Sequence, residues 1–257
     1  MARRRSGSPY ELGSSMPQLS DLDHHLPAPL AEAVAPVARL AQFKAGQTVM
    51  GHQDETSDVF VILEGTLRIE LLSQNGREIT LSDAGPGALV GEFAALDDQP
   101  RSATVMATTK ASLARIPGAA FREAALAHPE SAEWLTRRLV RILRQLNERI
   151  FELNALAVRS RLHCELLRFC LDTGFEGNEA TITPSPTHAE LANRIGTHRE
   201  AVTRELRYLA EQGITSSTGR KLIVCDIARL AEIVRAAAGD VELIQRANQA
   251  GIGRGTA

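Results

Sequence analysis

The sequence predicts an α+β fold: an N-terminal antiparallel β-roll, a long helix and a C-terminal winged helix-turn-helix. Three observations predict this class. An alternating, glycine-rich apolar pattern comes first, a long stretch without Gly or Pro follows, and two short capped helices flank a glycine near the C-terminus. The 257 residues exceed one domain of about 100–150 residues. The predicted segments are a disordered stretch at 1–18, the roll at 19–130, the long helix at 131–157, the winged helix-turn-helix at 158–238 and a tail at 239–257.

Composition excludes several classes of protein. The formal net charge is −2, so any contact with DNA must come from a local basic cluster rather than from overall charge. No segment approaches the roughly 18 apolar residues of a membrane span, and the first 15 residues lack the apolar region of a signal peptide. The three cysteines form no CxxC pair, and we expect Cys164 and Cys170 to lie in the core of the smaller domain. We therefore expect a cytoplasmic protein with no membrane partner.

The roll is predicted from strand periodicity. Short helical patterns interrupted by prolines occupy residues 19–40, after which Val59–Leu63 and Leu67–Leu71 alternate as half-buried strands do. Asn75-Gly76 is typical of a type I′ hairpin turn, because both residues tolerate positive φ. Val105–Ile116 is expected to be the last extended run. Many glycines at intervals fit the tight corners of an antiparallel roll.

The long helix carries a regular apolar seam. The seam residues recur at alternating spacings of four and three, as the a and d positions of a coiled coil do: Leu139, Leu143, Leu146, Ile150 and Leu153. Leu135 and Ile142 form a second row beside the seam. We expect this second row to pack on the roll and the seam to pack on a second copy, which makes this a dimerisation helix and the protein a homodimer.

Two capping-box patterns predict the helix-turn-helix. Thr187 with Glu190, and Thr197 with Glu200, have the Ser/Thr-x-x-Glu spacing, and Gly196 allows the turn between the two helices. The remaining predicted elements are a helix over Ser160–Thr173, a hairpin wing over Ile214–Val224 that turns at Thr218-Gly219, a closing helix over Asp226–Ala237 and a loose tail from Gly251.

The second capped helix has one apolar and one polar face. Arginine donates two hydrogen bonds to guanine and glutamate accepts one from cytosine, so a basic face of this kind fits the DNA major groove. A solvated helix face with Arg–Glu pairs is the simpler reading. The predicted DNA-binding residues are His188, Thr197, Arg199, Glu200, Thr203, Arg204, Arg207, Arg220 and Lys221, with Arg194 as a further phosphate contact.

The segment Gly91–Ala103, of sequence GEFAALDDQPRSA, has the features of an anion site. Gly91 permits close backbone approach, a helical turn after it directs N–H groups outward, and Arg101 adds a charge-assisted donor. Glu92 is able to accept a hydrogen bond from a hydroxyl group. A strand-connecting loop with a structural ion pair explains the same residues.

Two motifs carry a resemblance to a known family. GEFAALDDQPRSA resembles the phosphate-binding cassette of cyclic-nucleotide-binding domains, and Arg199-Glu200 with Arg204 resembles the recognition helix of catabolite activator proteins. With the order of roll, long helix and winged helix-turn-helix, the chain from about 20 to 238 resembles the CRP/FNR family of transcription regulators.

This resemblance implies a cyclic-nucleotide-binding jelly roll and roles for its residues. It assigns Glu92 to the ribose 2′-hydroxyl, Arg101 and Ser102 to the cyclic phosphate, and the amides from Gly91 through Phe93 to Ala94 to the same cradle. It also implies double-stranded DNA with inverted TGTGA-like half-sites and RNA polymerase as partners. No covalent cofactor is implied.

The chain departs from the cAMP-responsive members in its long helix. Two adjacent hydroxyl residues hold the adenine in those members, whereas this chain has Leu146 and Asn147. Leu146 cannot hydrogen-bond a base, but Asn147 both donates and accepts. We therefore favour cAMP as the allosteric effector and retain cGMP, or a response to both. We expect the bound effector to move a hinge at Asn154–Ser160.

Other functions fit less well. An iron–sulfur sensor needs about four clustered cysteines, which the chain lacks. A haem sensor would draw on His24, His25 or His52 but leaves the cassette unexplained. A regulator with no effector and an adaptor that binds effector but no DNA remain open. An enzyme is disfavoured because no catalytic constellation is evident.

Overall fold

The computed structural model describes residues 11–12, 16–72 and 78–252. The chain divides into two compact units, Met1–Arg141 and Ile142–Ala257. Each unit has its own apolar core. No helix within the described ranges is long and apolar enough to cross a membrane.

The first unit is an antiparallel roll preceded and followed by helices. Its elements are β1 (Glu11–Leu12), α1 (Leu19–Asp23), α2 (Ala28–Val34), β2 (Arg39–Phe43), β3 (Thr48–Met50), β4 (Val59–Glu64), β5 (Leu67–Leu72), β6 (Glu78–Ala84), β7 (Leu89–Val90), α3 (Glu92–Asp97), β8 (Thr104–Ala107), β9 (Ala111–Ile116) and α4 (Gly118–Ala127). Its strands form one sheet of order β1-β2-β9-β4-β7 and another of order β3-β8-β5-β6.

Packing explains why these segments form strands. Alternate apolar side chains of the strands meet inside the roll, and Phe43 and Phe60 contact each other edge to face at 6.4 Å between ring centroids. The antiparallel pairing of β5 with β6 agrees with the predicted hairpin, but its Asn75-Gly76 turn lies outside the described residues.

Two expectations for this unit were wrong. The run Val105–Ile116 is two strands, because the chain turns at Thr108–Lys110 and β8 and β9 belong to different sheets. Within the stretch 1–18 that was expected to be disordered, Glu11 and Leu12 form a strand that pairs with β2, whereas residues 1–10 and 13–15 lie outside the described residues.

Helix α5 (Pro129–Ala155) spans the division between the two units. Its N-terminal part belongs to the first unit, where Leu135 is buried and Leu139 packs against the same apolar cluster. The expected contact of this helix with the roll is confirmed at Leu135.

The second unit is a helical domain with a small antiparallel sheet. It contains the C-terminal part of α5, and its other elements are α6 (Val158–Thr173), β10 (Ala180–Ile182), α7 (His188–Ile195), α8 (Arg199–Glu211), β11 (Thr215–Thr218), β12 (Lys221–Val224), α9 (Ile227–Ala238) and α10 (Glu242–Gln249). The order of strands in the sheet is β10-β12-β11. The predicted winged helix-turn-helix and closing helix are present, with Asp226 capping α9 through the N–H of Arg229.

Three local expectations for the second unit were wrong. Thr197 and Glu200 form no capping box: the N-cap of α8 is His198, one residue later, and it makes no side-chain cap. The wing turns at Gly219 and Arg220, because Thr218 already pairs with Lys221. The chain beyond Gly239 forms α10, and Ile252 is buried with it in the core, so the tail is not loose at Gly251–Ile252.

Candidate effector and DNA-binding sites

The segment Gly91–Ala103 leaves strand β7 through a left-handed glycine. Gly91 has φ +89° and is the N-cap of α3, a conformation that costs a side-chain-bearing residue energy. A Cβ on Gly91 would lie 2.7 Å from both the Asp58 carbonyl oxygen and Arg101 Nη1. The Arg101 guanidinium and the Asp58 carbonyl group therefore lie so close to the backbone of residue 91 that only glycine fits there.

Arg101 lies inside the roll with only 2% of its surface exposed. Its guanidinium donates to the carbonyl oxygens of Gly91 at 2.8 Å and Asp58 at 2.7 Å, and to Thr56 Oγ1 at 3.1 Å. A buried arginine needs such partners, because an unpaired charge in the interior is costly. The side chain of Arg101, which is predicted to bind the phosphate, is thus held in place by hydrogen bonds to Thr56, Asp58 and Gly91.

Glu92 is also buried, at the first position of α3. Burial raises the pKa of its carboxyl group, and the charges of Arg138 and Arg101 oppose this shift. Arg138 Nη2 lies 3.4 Å from Glu92 Oε1 and also donates to the Leu89 carbonyl oxygen. Arg138 was not predicted as a site residue, although it lies on the long helix one residue before Leu139, the first leucine of the seam.

The other predicted effector residues differ in exposure. Ala94 is buried, whereas Phe93 and Ser102 are exposed. Leu146 and Asn147 lie on exposed positions of α5 in the second unit. The structure thus brings Gly91, Glu92 and Arg101 together, and contact of the other residues with a ligand stays a prediction.

The helix-turn-helix has the predicted caps at its first helix. Thr187 Oγ1 accepts from the Glu190 N–H at 3.1 Å, and the Thr187 N–H donates to Glu190 Oε2 at 2.8 Å. Gly196 ends α7 with φ +65°, which gives the turn into α8. Val202 and Leu209 of α8 are buried in the core, which gives this helix the apolar face that the sequence predicts.

The outward face of α8 is basic and exposed. Arg199, Glu200 and Arg204 are exposed near its N-terminal end, and Arg207 pairs with Glu211 at 3.0 Å one turn further on. Thr203 Oγ1 lies 2.7 Å from His188 Nδ1, which joins the start of α7 to this face.

Among the other residues predicted to contact DNA, Arg220 and Lys221 lie on the surface, whereas Arg194 is buried. Arg220 and Lys221 are exposed at the tip of the wing, and a surface depression is lined by Thr187, His188, Ala189 and Arg199. The expectation that Arg194 contacts phosphate was wrong. Arg194 is buried, faces Glu165 Oε1 at 3.4 Å and stacks on the Phe169 ring at 5.1 Å.

Beneath the helix-turn-helix lies a cluster of three buried and two half-buried charged side chains, here called the Glu165 cluster. Glu152, Glu165 and Arg194 are the buried members, and Arg149 and Arg168 are the half-buried ones. Burial opposes ionisation of Glu165, but the three guanidinium groups together lower the pKa of Glu165 to about 2. The sequence contains two i,i+3 pairs of the cluster, Arg149 with Glu152 and Glu165 with Arg168, but such pairs are common on solvated helix faces. The contacts that join the three helices are long-range and leave no local pattern.

A second buried pair joins α6 to the inner side of α8. His163 Nε2 lies 2.7 Å from Glu205 Oε1, and His163 Nδ1 has no partner within the described part of the chain. Burial lowers the pKa of His163, against the influence of Glu205. Cys164 and Cys170 lie in the core of this unit as predicted, and burial raises the pKa of each thiol to about 12.

The predicted dimer seam is largely exposed within the single chain. Leu143, Leu146, Ile150 and Leu153 have 43–59% of their surface exposed, unlike Leu139, which packs on the roll core. A row of exposed apolar side chains on one helix is typical of an interaction surface.

Fold and sites define a class of protein: a ligand-sensing roll joined to a winged helix-turn-helix. Family models agree with both parts. A model described as cyclic nucleotide-binding domain matches residues 40–128, and one described as Crp-like helix-turn-helix domain matches 137–233. The chain belongs to the CRP/FNR family of transcription regulators. Its family membership confirms the prediction that the protein is not an enzyme.

Named relatives and solved structures agree. The chain is 29% identical to the CRP-like cAMP-activated global transcriptional regulator of Mycobacterium tuberculosis, over 81% of this chain and 92% of that protein. It is 27% identical to the cAMP-activated global transcriptional regulator CRP of Salmonella typhimurium, over 67% of this chain and 83% of the relative. The FixK2 structure from Bradyrhizobium japonicum has the same fold, with a TM-score of 0.69 and 21% identity over 78% of this chain and 99% of that one.

Proposed function

We propose that this protein is a homodimeric transcription regulator whose DNA binding is controlled by a cyclic nucleotide in the roll, with cAMP favoured and cGMP retained. One observation carries the proposal: the Arg101 guanidinium bonds to the Gly91 carbonyl oxygen and lies close enough to Glu92 to influence its charge. All three residues lie within the matched cyclic nucleotide-binding domain. The names of the two curated relatives favour cAMP.

The effector would bind by exchanging partners of Arg101. Both carbonyl oxygens that accept from its guanidinium are neutral, and a cyclic phosphate carries a negative charge, so a charge-assisted bond favours the phosphate. The Phe93 and Ala94 amides at the start of α3, with Ser102, would complete the phosphate contacts. Glu92 would accept from the ribose 2′-hydroxyl, and Leu146 and Asn147 would face the purine.

DNA would be bound through α8 and the wing. Arg199, Glu200 and Arg204 are exposed near the N-terminal end of α8, where a recognition helix meets base edges. The DNA phosphates around them would be contacted by His188, Arg220 and Lys221. The DNA-binding surface would be completed by Thr197, Thr203 and Arg207. We expect the half-site to resemble TGTGA.

The seam of α5 would hold two copies together. A two-fold dimer would place its recognition helices about 34 Å apart, which matches half-sites in an inverted repeat. Effector binding would shift the population between two dimer arrangements. We expect the regulator to act in the cytoplasm with RNA polymerase as a further partner.

Titration calorimetry with cAMP and, separately, cGMP tests the effector site. We expect the wild type to bind at least one of them, and Arg101→Ala and Glu92→Gln to lose that binding. Arg122→Ala is the control, because Arg122 pairs with exposed Asp98 just after α3.

Arg101→Ala also removes the donors from two half-buried carbonyl groups, so its fold is checked by circular dichroism. Ser102→Ala, on an exposed position, probes the phosphate contact without this cost. Absence of binding in the wild type, or full binding by all three site variants, would contradict the proposed effector.

A further inference from the structure

The C-terminal part of α5 is held to the DNA-binding helices by buried charges. Arg149 Nη2 donates to Glu165 Oε2 at 2.7 Å, and Arg168 donates to both Glu152 and Glu165 at 2.5 and 2.7 Å. Arg149 and Glu152 lie on α5, and Glu165 and Arg168 lie on α6. These bonds therefore join α5 to α6 across the interruption of the helix at Leu156 and Ala157.

The same cluster reaches the first helix of the helix-turn-helix. Arg194 on α7 faces the other oxygen of Glu165, Oε1, at 3.4 Å, with both side chains at most 5% exposed. Glu165 thus joins α5, α6 and α7 through one carboxylate. Truncating one member of a buried ion pair is costly because it leaves an uncompensated charge behind, so this connection is hard to open.

Contacts outside the cluster bind the same stretch of α5. Glu148 Oε1 accepts from the Leu243 N–H at the start of α10, at 3.0 Å. Arg161 of α6 donates to the Leu153 carbonyl oxygen at 3.1 Å. A Cβ on Gly196, at the turn between α7 and α8, would lie 3.2 Å from Leu153 Cδ2, so a seam residue borders that turn.

We propose that Glu165 is a positioning residue that fixes the helix-turn-helix to the seam-bearing part of α5. Residues 142–155 then move together with α7 and α8. The segment Asn154–Ser160, which contains the break between α5 and α6, is held rigid by these contacts and does not act as the hinge expected from sequence. We call this rigid segment the locked joint. The rigidity of this connection does not depend on the proposed function. Its consequence does rest on that function: when the effector moves the seam of α5, the recognition helix α8 moves with it.

The test uses the full-length protein and three variants. Glu165→Gln removes the central charge. Arg168→Lys keeps the positive charge but loses the fork that bridges two carboxylates. Glu133→Gln is the control, because Glu133 forms an exposed pair with Arg137 on the same helix.

Hydrogen exchange without nucleotide or DNA tests the locked joint itself. Glu165→Gln should accelerate exchange by about tenfold or more in peptides from both 142–155 and α7, with the roll unchanged. Arg168→Lys should accelerate hydrogen exchange in the same peptides, but by a smaller factor. If Glu165→Gln does not fold, the exchange rates of Arg168→Lys decide the test. Acceleration confined to α6, or none, would overturn the proposal.

DNA binding with and without cAMP or cGMP separates positioning from mere stability. At a temperature where every variant is folded, Glu165→Gln should still bind nucleotide, but nucleotide should raise its DNA affinity by less than about twofold, against the gain of about fivefold or more expected of the wild type. A folded variant with the wild-type gain would refute the positioning role. A wild type with no nucleotide response would instead refute the proposed function, and the exchange result would still decide whether the joint is locked.

Discussion

Replacing Ile150 with serine should weaken the proposed dimer without disturbing the chain that carries it. Ile150 is 58% exposed, and full burial of such a side chain is worth about 1.5–3 kcal/mol. Burying that exposed fraction therefore contributes about 0.9–1.7 kcal/mol per protomer, or about 2–3.5 kcal/mol in a symmetric dimer. The expected rise in the dimer dissociation constant is about 20- to 300-fold.

Sedimentation equilibrium over a range of protein concentrations measures this constant. Gln145→Ser is the matched control, because Gln145 is exposed on the same helix but lies off the seam. Serine lowers helix propensity in both variants alike, so the difference between them reports the seam. A wild type that stays monomeric, or an Ile150→Ser variant that dimerises as well as Gln145→Ser, would refute the reasoning.

Three further predictions follow from local geometry. Gly91→Ala should destabilise the roll more than Gly46→Ala, by thermal unfolding: both positions have positive φ, which costs about 1–2 kcal/mol, but only Gly91 lacks room for a Cβ. Equal losses would contradict this. Burial lowers the pKa of His163 below its usual 6.5, against its bond with Glu205, so the second unit should lose stability as the pH falls from 6.5 towards the folded value. His163→Gln should flatten that dependence in urea unfolding, and an unaltered profile would argue against it. Arg199→Ala should weaken binding to the specific site by about 1–3 kcal/mol and binding to random DNA much less, in anisotropy titrations. An equal loss on both DNAs would make Arg199 a phosphate contact.

Local patterns in the sequence predicted most of the fold. Strand alternation, the long stretch without Gly or Pro and the Thr187 capping box all act between near neighbours. Strands β4 and β5, helix α5 and the cap of α7 lie where expected, although β4 is buried on both faces rather than half-buried. The same reasoning misplaced the start of α8, because Thr197 has the right spacing to Glu200 yet His198 is the N-cap. Spacing identifies a possible cap but does not determine which residue adopts the extended backbone.

Long-range partners explain what sequence reasoning missed. Arg194 looked like a surface phosphate contact, but its partner Glu165 is 29 residues away and draws it into the interior. The partners of Arg101 include the carbonyl groups of Asp58 and Gly91, and backbone acceptors leave no mark in a sequence. Helix α10 has a clear apolar face, but its role depends on contacts with α6 and α9.

The central claim is that a cyclic nucleotide controls DNA binding by this protein. Fluorescence anisotropy with a duplex carrying inverted TGTGA-like half-sites, alone and with cAMP or cGMP, measures it most directly. We expect at least one nucleotide to raise the affinity by about fivefold or more, and we expect a duplex with scrambled half-sites to show no such gain. The same affinity in all three conditions would contradict the account.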